Sequence, residues 1–317
     1  MKFLKIPLSP IDPEIYLDCY IADPVGDYIR KAILVIPGGG YGGVCSEREG
    51  EPIAMAFLPY GYNAFVLHYS VGRKRPFPAQ LIEASAAMKH IRDHAEEYTI
   101  DPEKVFVTGF SAGGHLAASL GVLWHRKEIY DQLDMPFGYN KPTGILPIYP
   151  VISREVQDDM GCIQGTFYNL LCNDNPTTEE LDECSLEKHV DERSSPAFIL
   201  HTSNDQAVPV AHSLRFANAY AAQNRQFELH IFPDAPHGVA LGNAFTRCQQ
   251  PKWENAAIAT WIEQAAAWAD SLNFSPKYMR HTSRKKCAVF FTSPSDEVLH
   301  RIFPGFGIPV LQSLGRE

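Results

Sequence analysis

Lys104-Val-Phe-Val-Thr-Gly109-Phe-Ser111-Ala-Gly113-Gly114-His115 is the stretch that decides the fold. Val105, Phe106 and Val107 form an apolar run of strand length, and small residues from Leu116 to Leu123 read as a helix. A serine at the centre of Gly109-x-Ser111-x-Gly113, between strand and helix, has the context of a nucleophile elbow. Such a turn leaves little room for side chains, so glycines flank the serine and its hydroxyl stands exposed above the sheet. In a chain of this glycine content the bare pattern arises by chance on the order of 0.1 times. Its meaning therefore depends on the partners the rest of the chain supplies.

Working outward, 317 residues suffice for one large α/β domain or two small ones. The 45% apolar and 21% charged residues are those of an ordinary globular protein. A formal net charge of −9 argues against a nucleic-acid partner, which calls for clustered Lys and Arg. No stretch has the apolar length of a membrane span. The opening MKFLKIPLSPIDPE lacks the apolar core of a secretory signal and meets prolines at once. Seven scattered cysteines (Cys19, Cys45, Cys162, Cys172, Cys184, Cys248 and Cys287), with no C-x-x-C pair, fit free thiols in a reducing compartment. A cytoplasmic location is expected.

In chain order, Glu14-Ile-Tyr-Leu-Asp-Cys-Tyr-Ile alternates as an antiparallel opening within residues 1–30. Ala32–Ile36 and Asn63–Tyr69 are apolar runs typical of strands covered on both faces. Gly144–Tyr149, Ala197–His201 and Phe227–Phe232 are further strand candidates, the first weakened by its internal proline. Helices are expected over Glu51–Tyr60, Ala79–Tyr98, Ala211–Gln223 and Glu254–Ala269. This alternation predicts an α/β class: a mostly parallel, doubly wound sheet with antiparallel N-terminal strands. Residues 1–274 form that domain. Within it, 153–195 is polar, acidic and weakly periodic, a lid-like insertion over the site or a surface excursion. The tail 275–317, with its basic Arg284-Lys-Lys286 and its Phe303–Pro309 stretch rich in Pro and Gly, has no assigned role.

An acyl-transfer serine needs a base, an acid to orient the base, and donors for the oxyanion. On an open α/β sheet these follow in the order Ser, Asp or Glu, His, from loops at the carboxyl ends of strands. Asp205 follows Ala197–His201, and His237 follows Phe227–Phe232. The bland alternatives are a turn-forming aspartate beside Asn204 and an ordinary loop histidine. Of the other histidines, His115 is expected to pack or to cap the helix start. His201 and His230 lie within strands, and His90 and His94 lack an H-E-x-x-H frame, so no metal site is expected. Gly38-Gly-Gly-Tyr-Gly-Gly43 formally matches a dinucleotide loop, but no helix opens at Gly43 and no ribose-binding acid ends the next strand. An oxyanion loop, Pro37-Gly-Gly-Gly40, fits better: consecutive glycines let backbone amides approach an oxyanion, with the amide of Ala112 as the second donor.

These pieces resemble an α/β-hydrolase, in the carbohydrate-esterase-like branch that includes acetyl-xylan esterases and small lipase/esterases. The matching runs are Val35–Tyr41, Asp101–Ala117, Val190–Phe198, Asn204–Val210 and Phe227–Gly238, within residues 30–272. The resemblance implies a serine esterase for short acyl groups, often acetyl on sugars, acting without metal or organic cofactor. It puts the nucleophile, acid and base on Ser111, Asp205 and His237, and the oxyanion donors on Gly39–Tyr41 and Ala112. Pro37 stands where the lipase-type pattern has His. The implied partner is a small ester or acetylated sugar; the oligomeric state is left open. A peptidase of the same fold and a non-catalytic binding protein on it are the alternatives.

Overall fold

The apolar runs become the strands of one sheet. A computed structural model describes residues 1–248 and 253–272; the tail 275–317 and Cys287 lie outside the described residues. Its strands are β1 (Lys2–Pro7), β2 (Tyr16–Ile21), β3 (Arg30–Ile36), β4 (Tyr62–His68), β5 (Ile100–Phe110), β6 (Ile145–Ile148), β7 (Ala197–Thr202) and β8 (Phe227–Phe232). They lie in the order β1-β2-β4-β3-β5-β6-β7-β8. β1 and β2 pair antiparallel with each other, and β2 with β4. From β4 to β8 every pairing is parallel.

The helices are α1 (Ser46–Glu49), α2 (Glu51–Phe57), α3 (Ala79–Asp93), α4 (Ala112–Leu123), α5 (Lys127–Gln132), α6 (Cys162–Leu171), α7 (Thr178–Glu183), α8 (Ala211–Ala222) and α9 (Trp261–Ser271). Successive side chains of a strand point to opposite faces, so β3 feeds two cores. Ala32, Leu34 and Ile36 pack with Met88 of α3, Leu116 and Leu120 of α4 and Phe216 of α8. Ile33 and Val35 pack with Ile53 and Phe57 of α2 and Trp261 and Trp268 of α9. Helices thus cover both faces, as the continuous apolar strands require.

Several boundaries differ from expectation. α3 stops at Asp93, because the chain turns through Thr99 at φ 53° to enter β5. α4 starts directly after Ser111 rather than at Leu116. α9 starts at Trp261, not Glu254, because Asn255 Oδ1 accepts from the amides of Ala257 and Ile258 and holds a turn there. β6 keeps its central place despite Pro147, which sits opposite Gly109. Residues 153–195 are more regular than their composition indicates. α6 buries Ile163, Phe167 and Leu170 at helical spacing, and α7 opens with a Thr177–Glu180 capping box.

Candidate active site

The elbow is built by close approach of backbone. A Cβ on Gly109 would stand 2.1 Å from the Gly113 carbonyl oxygen, and one on Gly113 would stand 2.1 Å from that of Ile36. Only glycine fits at either position, and the α4 N-terminus can therefore sit against the end of β3. Ser111 lies between them at φ 54°, ψ −117°, a conformation costing a non-glycine residue about 1–3 kcal/mol. The surrounding structure holds it there. Its amide donates to Ile148 O at 3.1 Å, and its carbonyl accepts from Val151 and His115.

The fold brings Ser111, His237 and Asp205 together. Ser111 Oγ lies 2.9 Å from His237 Nε2, and His237 Nδ1 lies 2.7 Å from Asp205 Oδ2. The carboxylate can only accept at Nδ1, so Nδ1 carries the proton and Nε2 is free to accept from the serine hydroxyl. The other Asp205 oxygen accepts from the amides of Ala207 and Val208 at 3.0 and 2.9 Å. Burial alone would raise the Asp205 pKa, but the adjacent His201, the hydrogen bond and charge of His237 and the Val208 amide hold it well below the usual carboxylate range. His201 is a buttress that sequence reasoning passed over as a strand residue. It donates from Nε2 to Val208 O at 2.8 Å and accepts at Nδ1 from Ser213 Oγ at 2.7 Å.

Gly39 and Gly40 line a cavity of about 400 Å³ together with Ser111 and His237. Ala112 is buried at the helix start, and Tyr41 is turned inward, with its hydroxyl 2.9 Å from His115 Nδ1. The loop's anchor is Glu49, which no motif flagged. Its Oε2 accepts from the Gly38 amide at 2.8 Å and its Oε1 from the Tyr149 hydroxyl at 3.0 Å. Tyr149 in turn accepts from the Ala240 amide at 3.1 Å and packs edge-on to His237, ring centroids 5.1 Å apart. One buried carboxylate thus ties the glycine loop to the histidine loop. Burial raises the Glu49 pKa, against the lowering pull of Arg48, the Gly38 amide, His237 and Tyr149. A glutamate between Arg48 and Gly50 reads as surface charge in the sequence, and only the fold reveals its place.

The stretch 153–195 contributes Cys162, Gly165, Thr166 and Asn169 of α6 to the cavity wall. Asn169 Nδ2 donates to Gly40 O at 2.9 Å and steadies the glycine loop from that side. His115 is a packing residue: it is fully buried, bridging Tyr41 and the Cys184 carbonyl at 2.8 Å. His90 and His94 stack on each other. The six cysteines among the described residues are free thiols. Among the described residues, no helix is long and apolar enough to cross a membrane.

The crystal structure of an acetyl ester-xyloside bifunctional hydrolase from Caldicellulosiruptor lactoaceticus matches with a TM-score of 0.71 and 32% identity, over 84% of this chain and 96% of that one. The mostly parallel sheet with its antiparallel N-terminal strands, covered by helices on both faces, is that of the α/β-hydrolase fold. Residues 17–220 match the model of the BD-FAE family, and the chain belongs to that family. Endo-1,4-beta-xylanase B of Butyrivibrio fibrisolvens is 38% identical over 221 residues, 68% of this chain and 34% of that protein. An acetylxylan esterase of Xylanibacter ruminicola is 27% identical over 224 residues, 68% of this chain and 42% of that protein. The chain thus spans less than half the length of either.

Proposed function

We propose that this chain is a serine ester hydrolase that removes short acyl groups, acetyl above all, from carbohydrate hydroxyls. The observation that carries this reading is the hydrogen-bonded line Ser111–His237–Asp205 opening on a cavity whose facing wall is the Gly39–Gly40 loop. Ser111 attacks the ester carbonyl as His237 Nε2 takes its proton, and Asp205 stabilises the imidazolium. The oxyanion is met by amides of the glycine loop (Gly39, Gly40 and Tyr41) and of Ala112, each worth roughly 3 kcal/mol of transition-state stabilisation. His237 then protonates the leaving alcohol, and water, deprotonated by the same imidazole, resolves the acyl-enzyme. Side chains, backbone amides and water complete the cycle. The likeness to the acetylxylan esterase and to the acetyl ester-xyloside hydrolase supports the acetyl and carbohydrate parts of the reading.

Ser111→Ala is expected to lower hydrolysis of p-nitrophenyl acetate by roughly a thousandfold or more and to abolish labelling by a fluorophosphonate probe. Near-full activity in that variant would sink the proposal. Turnover of aminoacyl anilides with no action on acetate esters would favour a peptidase instead.

A further inference from the structure

A second cavity, of about 370 Å³, adjoins the first and shares His237 and Ala207 with it. We infer that this second cavity seats the alcohol side of the ester and selects a neutral, hydroxyl-rich leaving group, a carbohydrate. The inference rests on the esterase reading above.

The proton inventory fixes the side. His237 Nε2 receives the Ser111 proton and must hand it to the leaving oxygen, so the alcohol lies within hydrogen-bond reach of that nitrogen. The first cavity contains Ser111 and the glycine loop, and it therefore takes the ester carbonyl and its acyl chain. The second contains neither, and its lining runs from His237 along the loops after β7 and β8.

Its chemistry fits a sugar. Asn204, Gln206 and Asp234 bring exposed amide and carboxylate groups, and Met160 and Pro236 bring apolar surface. A sugar ring offers the same mixture, hydroxyls around its rim and C–H groups on its faces. Asn204 is committed to the loop: it donates to one Asp234 oxygen and accepts from the Ala235 amide at 3.2 Å. Gln206 uses its Nε2 on the Asn204 carbonyl at 2.9 Å. Among the described residues, the Gln206 Oε1 and the second Asp234 oxygen have no partner, which leaves two acceptors for hydroxyl donors. Among the described residues, no Lys or Arg lines this cavity, so the Asp234 charge disfavours an anionic alcohol such as a uronate.

The test compares two esters that share an acetyl group and differ in the alcohol, an O-acetylated methyl xyloside and p-nitrophenyl acetate. In the double variant Gln206→Ala/Asp234→Ala, the ratio of kcat/KM for the sugar ester to that for the aryl ester is expected to fall about fivefold or more, through KM. Asp234→Lys is expected to shift preference roughly tenfold towards an acetylated methyl glucuronoside. Fluorophosphonate labelling of Ser111 in each variant checks that the site is folded. A ratio within about twofold of wild type, in labelled double variant, overturns the assignment of the cavity. Ester hydrolysis that survives Ser111→Ala overturns the esterase reading itself, and the two failures are thereby distinguished.

Discussion

Ser111 and His115 sit one helical turn apart and do opposite things with burial. Ser111 stays partly open, its hydroxyl bonded to a histidine that can take its proton. His115 is sealed between Tyr41 and Cys184, and the Cys184 carbonyl can only accept, which puts the ring proton on Nε2. Burial lowers its pKa from 6.5 to about 4, outweighing the Cys184 bond that would raise it. The sign follows: below about pH 6.5 the unfolded chain binds a proton that the folded chain refuses. His115 therefore gives stability in full above that pH and loses it as the pH falls towards 4. Urea midpoints for wild type and His115→Asn between pH 7.5 and 4.5 should show the wild-type advantage shrinking, by on the order of 2 kcal/mol. A difference that stays constant with pH would refute this account. Asp205 runs in the same direction at lower pH: its depressed pKa keeps it ionised, and its stabilising share is lost only in strong acid.

At the scale of elements, the loop from β3 to α2 is held from two sides, by Glu49 and by Asn169 of α6. Glu49→Gln leaves one amide oxygen for two donors, Gly38 N–H and Tyr149 O–H. The loop should shift by a fraction of an ångström, lowering kcat roughly 10- to 100-fold with little change in KM. Tyr149→Phe strands the buried Ala240 amide as well, and should cost about 1–3 kcal/mol of stability. Unchanged kcat in both variants would mean that the loop is positioned without Glu49. The sequence made the strand runs legible because each is a short apolar block bounded by Pro, Gly or Asn. It also made legible the three residues that the fold brings into hydrogen-bonding line, because each follows a strand end. Glu49 and α6 were not legible for a shared reason. A lone buried carboxylate has no period, and the apolar stripe Ile163, Phe167, Leu170 lies within a segment otherwise dominated by acid residues.

For the whole molecule, strand order needed the fold itself: composition and spacing predict a parallel sheet, but β3 between β4 and β5 follows from which faces the helices cover. α9 shows how a distant element reaches the site. Trp261 is fully buried on the α2/α9 side, edge-on to Phe57 and Phe110, and its indole Nε1 donates to Ala240 O at 3.0 Å. Ala240 lies three residues beyond His237, and its amide already bonds Tyr149. One side chain thus contributes twice, by apolar packing and by holding the histidine loop, and two substitutions separate the contributions. Trp261→Ala removes both and should cost about 3–5 kcal/mol in urea unfolding. Trp261→Phe keeps most of the packing but leaves a buried carbonyl unpaired, at about 1–3 kcal/mol. If the loop depends on that bond, Trp261→Phe should lower kcat several-fold at a temperature where the variant is fully folded. Should kcat stay at the wild-type value while stability falls, Trp261 serves the core alone, and the histidine loop is held by Tyr149 and Asp205 without it.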